Sequence, residues 1–81
     1  MERKLLLSEV ESGATVVLVS MQGGHGFLSR LAALGFTPGT RLQVIQNLGH
    51  GPMIVCLRDT RIALGRGESQ KIRVSVSGEG S

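Results

Sequence analysis

The stretch Arg30-Leu-Ala-Ala-Leu-Gly-Phe-Thr-Pro-Gly-Thr-Arg-Leu42 decides how this chain passes from a helix into a strand. Gly35 stands where an apolar helical pattern stops, and glycine readily adopts the left-handed conformation that ends a helix. Pro38 fixes φ at about −65° for the first corner of a turn, and Gly39 permits the positive φ that a type II turn needs next. We therefore predict that Gly35, Pro38 and Gly39 are structural turn residues, which set how the helix sits on the sheet.

One short amphipathic helix is predicted before this junction, over about residues 26–34. Its apolar positions come close to the i, i+3, i+4, i+7 spacing of a single helix face. They are Phe27, Leu28, Leu31, Ala32 and Leu34. A helix of this length is not stable alone in water, so we expect its apolar stripe to dock on a sheet.

The rest of the chain predicts short strands. They are expected at residues 15–21, 42–47, 53–58, 61–65 and 71–76. In the second of these the alternation of apolar and polar residues breaks at Ile45, which predicts a bulge or strong bend. Short strands separated by glycine-rich corners are typical of a small barrel, so the predicted class is mainly β, with one inserted helix.

A hairpin is predicted with Asp59 and Thr60 as its two turn residues. In that register the core-facing pairs are Leu57 with Ile62 and Val55 with Leu64. The outward pairs are Cys56 with Ala63 and Arg58 with Arg61. A type I′ turn would place the β-branched Thr60 at positive φ, which is costly. Either another turn type is used or the register differs by one, and a one-residue slip would exchange the two faces.

Length and composition indicate a single small domain. The chain has 81 residues, 41% of them apolar, and a formal net charge of +3. We assign residues 1–76 to the domain and the polar, glycine-rich residues 77–81 to a flexible tail. Cys56 is the one cysteine, which excludes an intrachain disulfide, and the N-terminal apolar run ends after Leu7, too early for a signal peptide. A cytoplasmic location is therefore expected.

The candidate chemistry is sparse, which argues against an enzyme. No serine lies in a nucleophile-elbow motif, and the carboxylates lie mostly near the termini. His25, His50 and Cys56 are the soft metal ligands, without CxxC or HxxxH spacing. We expect no cofactor and no dedicated metal site, and at most a weak metal contact at His25 or His50.

An ordered set of short motifs resembles the FeoA family over about residues 7–76. The set comprises Leu7-Ser8-Glu9-Val10 with Gly13, Arg30-Leu31, Leu34-Gly35-Phe36-Thr37-Pro38-Gly39-Thr40, Gly51-Pro52-Met53-Ile54-Val55, Arg61-Ile62-Ala63-Leu64 and Ile72-Arg73-Val74. The resemblance implies a small SH3-like β-barrel with a helix inserted after the first strand. It also implies a cytoplasmic accessory role in ferrous iron uptake, with the GTPase-bearing membrane transporter FeoB as partner.

Two segments depart from the family pattern. Asp59-Thr60 stands where the family often has a glycine in the hairpin turn. After Leu64 the family commonly continues with a short helical turn, and the glycine-rich segment 65–69 disfavours one here.

The function expected from the resemblance is an adaptor that docks on the transporter's cytoplasmic part, and so lies peripheral to the inner membrane. Phe36 is the aromatic residue that the core does not obviously claim. The candidate contact residues are Phe36, Thr37, Arg41, Arg58 and Arg61. Two alternatives remain open at this point. A small basic barrel could bind nucleic-acid backbone, or the chain could self-associate through its Cys56–Ala63 face or an unpaired strand edge.

Overall fold

A computed structural model describes residues 2–77, which form one antiparallel six-stranded sheet with two helices. The elements in chain order are β1 Glu2–Leu6, a 3₁₀ turn Leu7–Glu9, β2 Thr15–Met21, α1 His25–Leu34, β3 Arg41–Gln46, β4 Met53–Leu57, β5 Thr60–Leu64, α2 Arg66–Ser69 and β6 Ile72–Ser77. The strand order is β1-β6-β2-β3-β4-β5. The predicted class, mainly β with one inserted helix, is confirmed.

The first strand was not predicted. β1 carries the charged sequence Glu-Arg-Lys-Leu-Leu and has no alternation, so its residues carry little strand signal. It forms because it pairs antiparallel with β6, with Leu5 opposite Val74. The same pairing places the backbone of Ser77 in β6, although the sequence assigned residue 77 to the tail; residues 78–81 lie outside the described part of the chain.

Alternation along the strands builds the core. Every second residue is buried throughout β4 and in β3 up to its bulge, as the period of two between strand faces requires. The fully or nearly fully buried apolar residues are Leu7, Val10, Val16, Leu18, Leu31, Phe36, Leu42, Val44, Met53, Val55, Leu57, Leu64, Ile72 and Val74. The predicted bulge at Ile45 is confirmed, because the pairing of β3 with β4 shifts register between Val44 and Gln46.

The α1 helix docks more narrowly than its apolar stripe suggested. Leu31 is its one fully buried residue, Phe27 packs against the core, and Leu34 is 44% exposed. The ammonium of Lys71 lies 5.4 Å from the centre of the Phe27 ring, a cation–π distance. The helix is therefore held both by the buried Leu31 side chain and by the cation–π contact between Lys71 and Phe27.

The β4–β5 hairpin turns one residue earlier than predicted. Arg58 and Asp59 form the turn, and Leu57 lies opposite Thr60. Arg58 takes the positive φ of 60°. The β-branched Thr60 is the first residue of β5 and so avoids the costly positive φ.

This shift changes the cross-strand partner of each hairpin residue, but each side chain stays on the face of the sheet that was predicted for it. Ile62 lies opposite Val55 and Arg61 opposite Cys56, so the predicted pairing of Arg58 with Arg61 is wrong. Moving the turn back by one residue moves each partner by two, which keeps the same side chains inward. Val55, Leu57 and Leu64 are accordingly buried, and Ile62 packs against them.

The expectation of no helical turn after β5 is also wrong. α2 forms because Glu68 caps it: its carboxylate accepts a 2.9 Å hydrogen bond from the N–H of Gly65. The other carboxylate oxygen of Glu68 pairs with the guanidinium of Arg30. The Gly65 hydrogen bond first, and Arg30 second, lower the pKa of Glu68 below its usual value.

Candidate protein-binding surface

The junction after α1 has the geometry of a Schellman motif. Gly35 lies at φ 104° and its N–H donates to the carbonyl of Ala32 at 3.0 Å. The N–H of Phe36 donates to the carbonyl of Leu31 at 2.9 Å. A Cβ on Gly35 would lie 3.1 Å from a methyl carbon of Leu57, so both backbone conformation and space favour glycine there.

A turn at residues 37–40 then delivers the chain to β3. The N–H of Thr40 donates to the carbonyl of Thr37 at 3.0 Å, and Gly39 has φ 93°, the positive value that a type II turn needs. Two backbone hydrogen bonds of 2.8 Å, from Gly39 to Leu18 and from Leu18 to Thr40, tie this turn to β2. Because the turn is anchored at both ends, the first residue of β3, Arg41, has a defined position.

Phe36 differs from the sequence-based expectation. It was expected as a contact side chain that the core does not claim, yet it is 0% exposed and is one of the largest fully buried residues. The Schellman geometry explains the difference, since the residue after the left-handed glycine commonly makes an apolar contact with the last helical turn. Phe36 and Leu31 belong to the same cluster of buried core residues. Phe36 is therefore a core residue, and Thr37 is the exposed residue next to it.

An open cavity of about 590 Å³ lies on the outer side of β3 and β4. Its lining consists of Thr15, Gly39, Thr40, Arg41, Leu42, Gln43, Cys56 and Arg58. Two of the predicted contact residues, Arg41 and Arg58, thus lie on one concavity. We call this feature the arginine cavity.

The third predicted arginine continues the same sheet face. Directly paired residues of neighbouring strands share a face, and Gln43 pairs with Thr15 on one side and with Cys56 on the other. Cys56 in turn pairs with Arg61. A polar row therefore runs across four strands from the cavity to exposed Arg61.

Six of the nine cations of the described chain fall into two groups, and the other three, Arg3, Lys4 and Arg73, are exposed outside both. On the helical side Arg30 pairs with Glu68, Lys71 lies over Phe27, and Arg66 is held in a hydrogen-bond network. Within residues 2–77 the Arg30–Glu68 pair is the one salt bridge. Arg41, Arg58 and Arg61 are exposed and carry no such pair in this part of the chain.

A network around Asn47 was missed by the sequence analysis. Its side-chain N–H₂ donates to the carbonyls of Ser8 at 3.1 Å and Val10 at 2.7 Å. Its side-chain oxygen accepts from the N–H of Gly49 at 3.0 Å and from Arg66 at 2.9 Å. Asn47 therefore joins the 3₁₀ turn, the loop after β3 and α2; the Asn-x-Gly sequence was the one local signal, and it indicates only a turn.

The two histidines do not form a metal site with other ligands. His25 is the exposed first residue of α1, and His50 is exposed in the loop before β4. Over residues 2–77 no group of three or more His, Cys, Asp or Glu side chains is placed to hold a metal ion. A weak contact at either histidine stays a prediction. Neither described helix has the length and apolar character needed to cross a membrane.

The FeoA domain model matches residues 5–76. The chain belongs to the FeoA family. It is 35% identical over 68 residues to Fe(2+) transport protein A of Methanocaldococcus jannaschii, covering 84% of this chain and 82% of that protein. This FeoA protein therefore matches its relative over most of both chains.

Two solved FeoA structures share the fold. A crystal structure of an iron uptake regulatory protein, FeoA, has a TM-score of 0.82 at 32% identity, covering 89% of this chain and 96% of that one. FeoA of Stenotrophomonas maltophilia in complex with zinc, an SH3 domain protein, has a TM-score of 0.77 at 29% identity, covering 86% and 88%. The SH3-like architecture implied by the sequence motifs is confirmed.

Proposed function

We propose that this FeoA protein is a cytoplasmic accessory protein of ferrous iron uptake, which docks on the cytoplasmic part of an FeoB-type transporter and modulates transport. The observation that carries the proposal is the family match over residues 5–76 together with the relative named for Fe(2+) transport. The role is one of protein interaction rather than catalysis.

The contact residues we assign to this role are Thr37, Arg41, Arg58 and Arg61. All four are exposed, and Arg41 and Arg58 share the arginine cavity. Phe36 is not one of these contact residues, because its side chain is fully buried and cannot touch a partner. Exposed cations that are not paired within the described chain suit a partner with an acidic surface.

The proposal is tested by ferrous iron uptake in cells of the source organism that lack this protein. We expect radiolabelled ferrous iron to accumulate more slowly, and normal uptake to return when the wild-type gene is restored. Affinity purification of the tagged protein from solubilised membranes should recover the transporter. Unchanged uptake in the deletion strain would refute the accessory role.

A further inference from the structure

We propose that the arginine cavity is a docking site for a carboxylate-rich polypeptide segment. This inference rests on the proposed function only for the source of that segment, which would be the transporter. The site itself is argued from the cavity and its charges.

The lining of the cavity offers hydrogen-bond donors and no carboxylate. Arg41 and Arg58 supply guanidinium groups, Thr15 and Thr40 supply hydroxyls, and Gln43 supplies an amide. Guanidinium groups match carboxylate geometry through two parallel N–H···O bonds. A volume of about 590 Å³ lies within the general range of binding pockets, roughly 300–1,000 Å³, and so accommodates several side chains of a partner.

Arg41 and Arg58 have no carboxylate partner within the described chain. The carboxylate of Glu68 is already paired with Arg30, and in the described chain Arg41 and Arg58 have no counterpart of that kind. Two like charges on one concavity repel each other in the free protein, and a bound carboxylate relieves that repulsion. Charge complementarity therefore selects an anionic occupant.

An acidic polypeptide fits better than a single-stranded nucleic acid. Sequence-tolerant binding of single strands uses aromatic side chains as stacking platforms. The chain has two aromatic residues, Phe27 and Phe36. Phe36 is fully buried and Phe27 packs against the core under Lys71. No aromatic residue lines the cavity, so it offers no surface on which nucleic-acid bases could stack.

Fluorescently labelled poly-L-glutamate, followed by anisotropy at low salt, tests the site without the transporter. The variant is R41E/R58E, and the matched control is R3E/R73E, whose exposed arginines lie outside the cavity. Each double reversal takes the formal net charge from +3 to −1, because each Arg-to-Glu change removes two charges. Circular dichroism melts verify that both variants fold, and R41Q/R58Q provides a neutral second variant.

We expect R41E/R58E to weaken poly-L-glutamate binding at least about tenfold more than R3E/R73E does. Equal weakening by the two double variants would overturn the inference, because binding would then follow net charge alone. Tighter binding of a labelled single-stranded oligonucleotide than of poly-L-glutamate, lost in R41E/R58E, would also overturn it in favour of a phosphate-bearing ligand.

Co-purification from membranes separates this inference from the proposed function. If the transporter does not co-purify with the wild-type protein, but poly-L-glutamate binding depends on the cavity, the docking site stands and the transporter role fails. If the transporter co-purifies equally with wild type and R41E/R58E, the accessory role stands and the arginine cavity is not the site that docks the transporter.

Discussion

Replacement of Phe36 by alanine should remove much of the stability of this domain. The side chain is fully buried, in the same core cluster as Leu31. Truncating a buried phenylalanine to alanine typically costs about 3–5 kcal/mol, from lost transfer free energy and the cavity left behind. A domain of 81 residues is expected to have about 4–12 kcal/mol of unfolding free energy in total. We therefore expect a partly unfolded or strongly destabilised variant.

The assay is urea denaturation followed by far-ultraviolet circular dichroism, because the chain has no Trp or Tyr for intrinsic fluorescence. Leu34→Ala is the matched control: it lies two residues away, and its side chain is 44% exposed, so we expect a cost of about 1 kcal/mol or less. Phe36→Leu should fall between the two. Equal urea midpoints for Phe36→Ala and Leu34→Ala would refute the assignment of Phe36 to the core.

Three further predictions test other parts of the structure. Asn47→Ala removes hydrogen bonds to two carbonyls and from two donors, and should lower the unfolding free energy by about 2–4 kcal/mol; a loss below about 0.5 kcal/mol in urea titrations would argue against the network. Gly39→Ala should cost about 1–2 kcal/mol through its positive φ alone, and Gly35→Ala more, because only the Gly35 Cβ meets Leu57; the reverse order in thermal melts would contradict this. The lowered pKa of Glu68 means that its ionised form stabilises the fold above the ordinary carboxyl pKa, and that this contribution is lost as pH falls through the lowered pKa. Glu68→Gln should therefore cost up to about 1 kcal/mol at pH 7, and this cost should shrink as pH falls through the lowered pKa. A difference in Tm between wild type and Glu68→Gln that does not change with pH would contradict the ionic part of the cap.

Much of the fold could be predicted because its signals are local. Strand β2 was predicted with the observed bounds, and α1 within one residue of its start. The residues predicted to face inward in the hairpin were correct although the predicted turn was wrong. The turn lies one residue earlier, so each residue's partner changes by two positions and the same side chains stay on the inward face. The bulge at Ile45 was visible as a break in alternation.

Strand β1 and helix α2 could not be predicted because contacts made elsewhere in the chain support them. β1 depends on pairing with β6, 70 or so residues away, and not on its own pattern. α2 has a glycine-rich sequence, and it forms with Glu68 held between Gly65 and Arg30 of α1. The Asn47 network likewise joins residues from three distant segments, and a turn signal at Asn-x-Gly says nothing of its partners.

The sequence by itself determined the helix stop and turn at residues 35–39 and the family motifs, because steric limits on φ act within a few residues. It also indicated Arg41, Arg58 and Arg61 as candidate contact residues, but not how they were arranged. Only the tertiary structure decided that Phe36 is buried and that Arg41 and Arg58 share a cavity. The reason is that burial and clustering depend on which strands become neighbours, and that pairing is settled by the packing of the whole core.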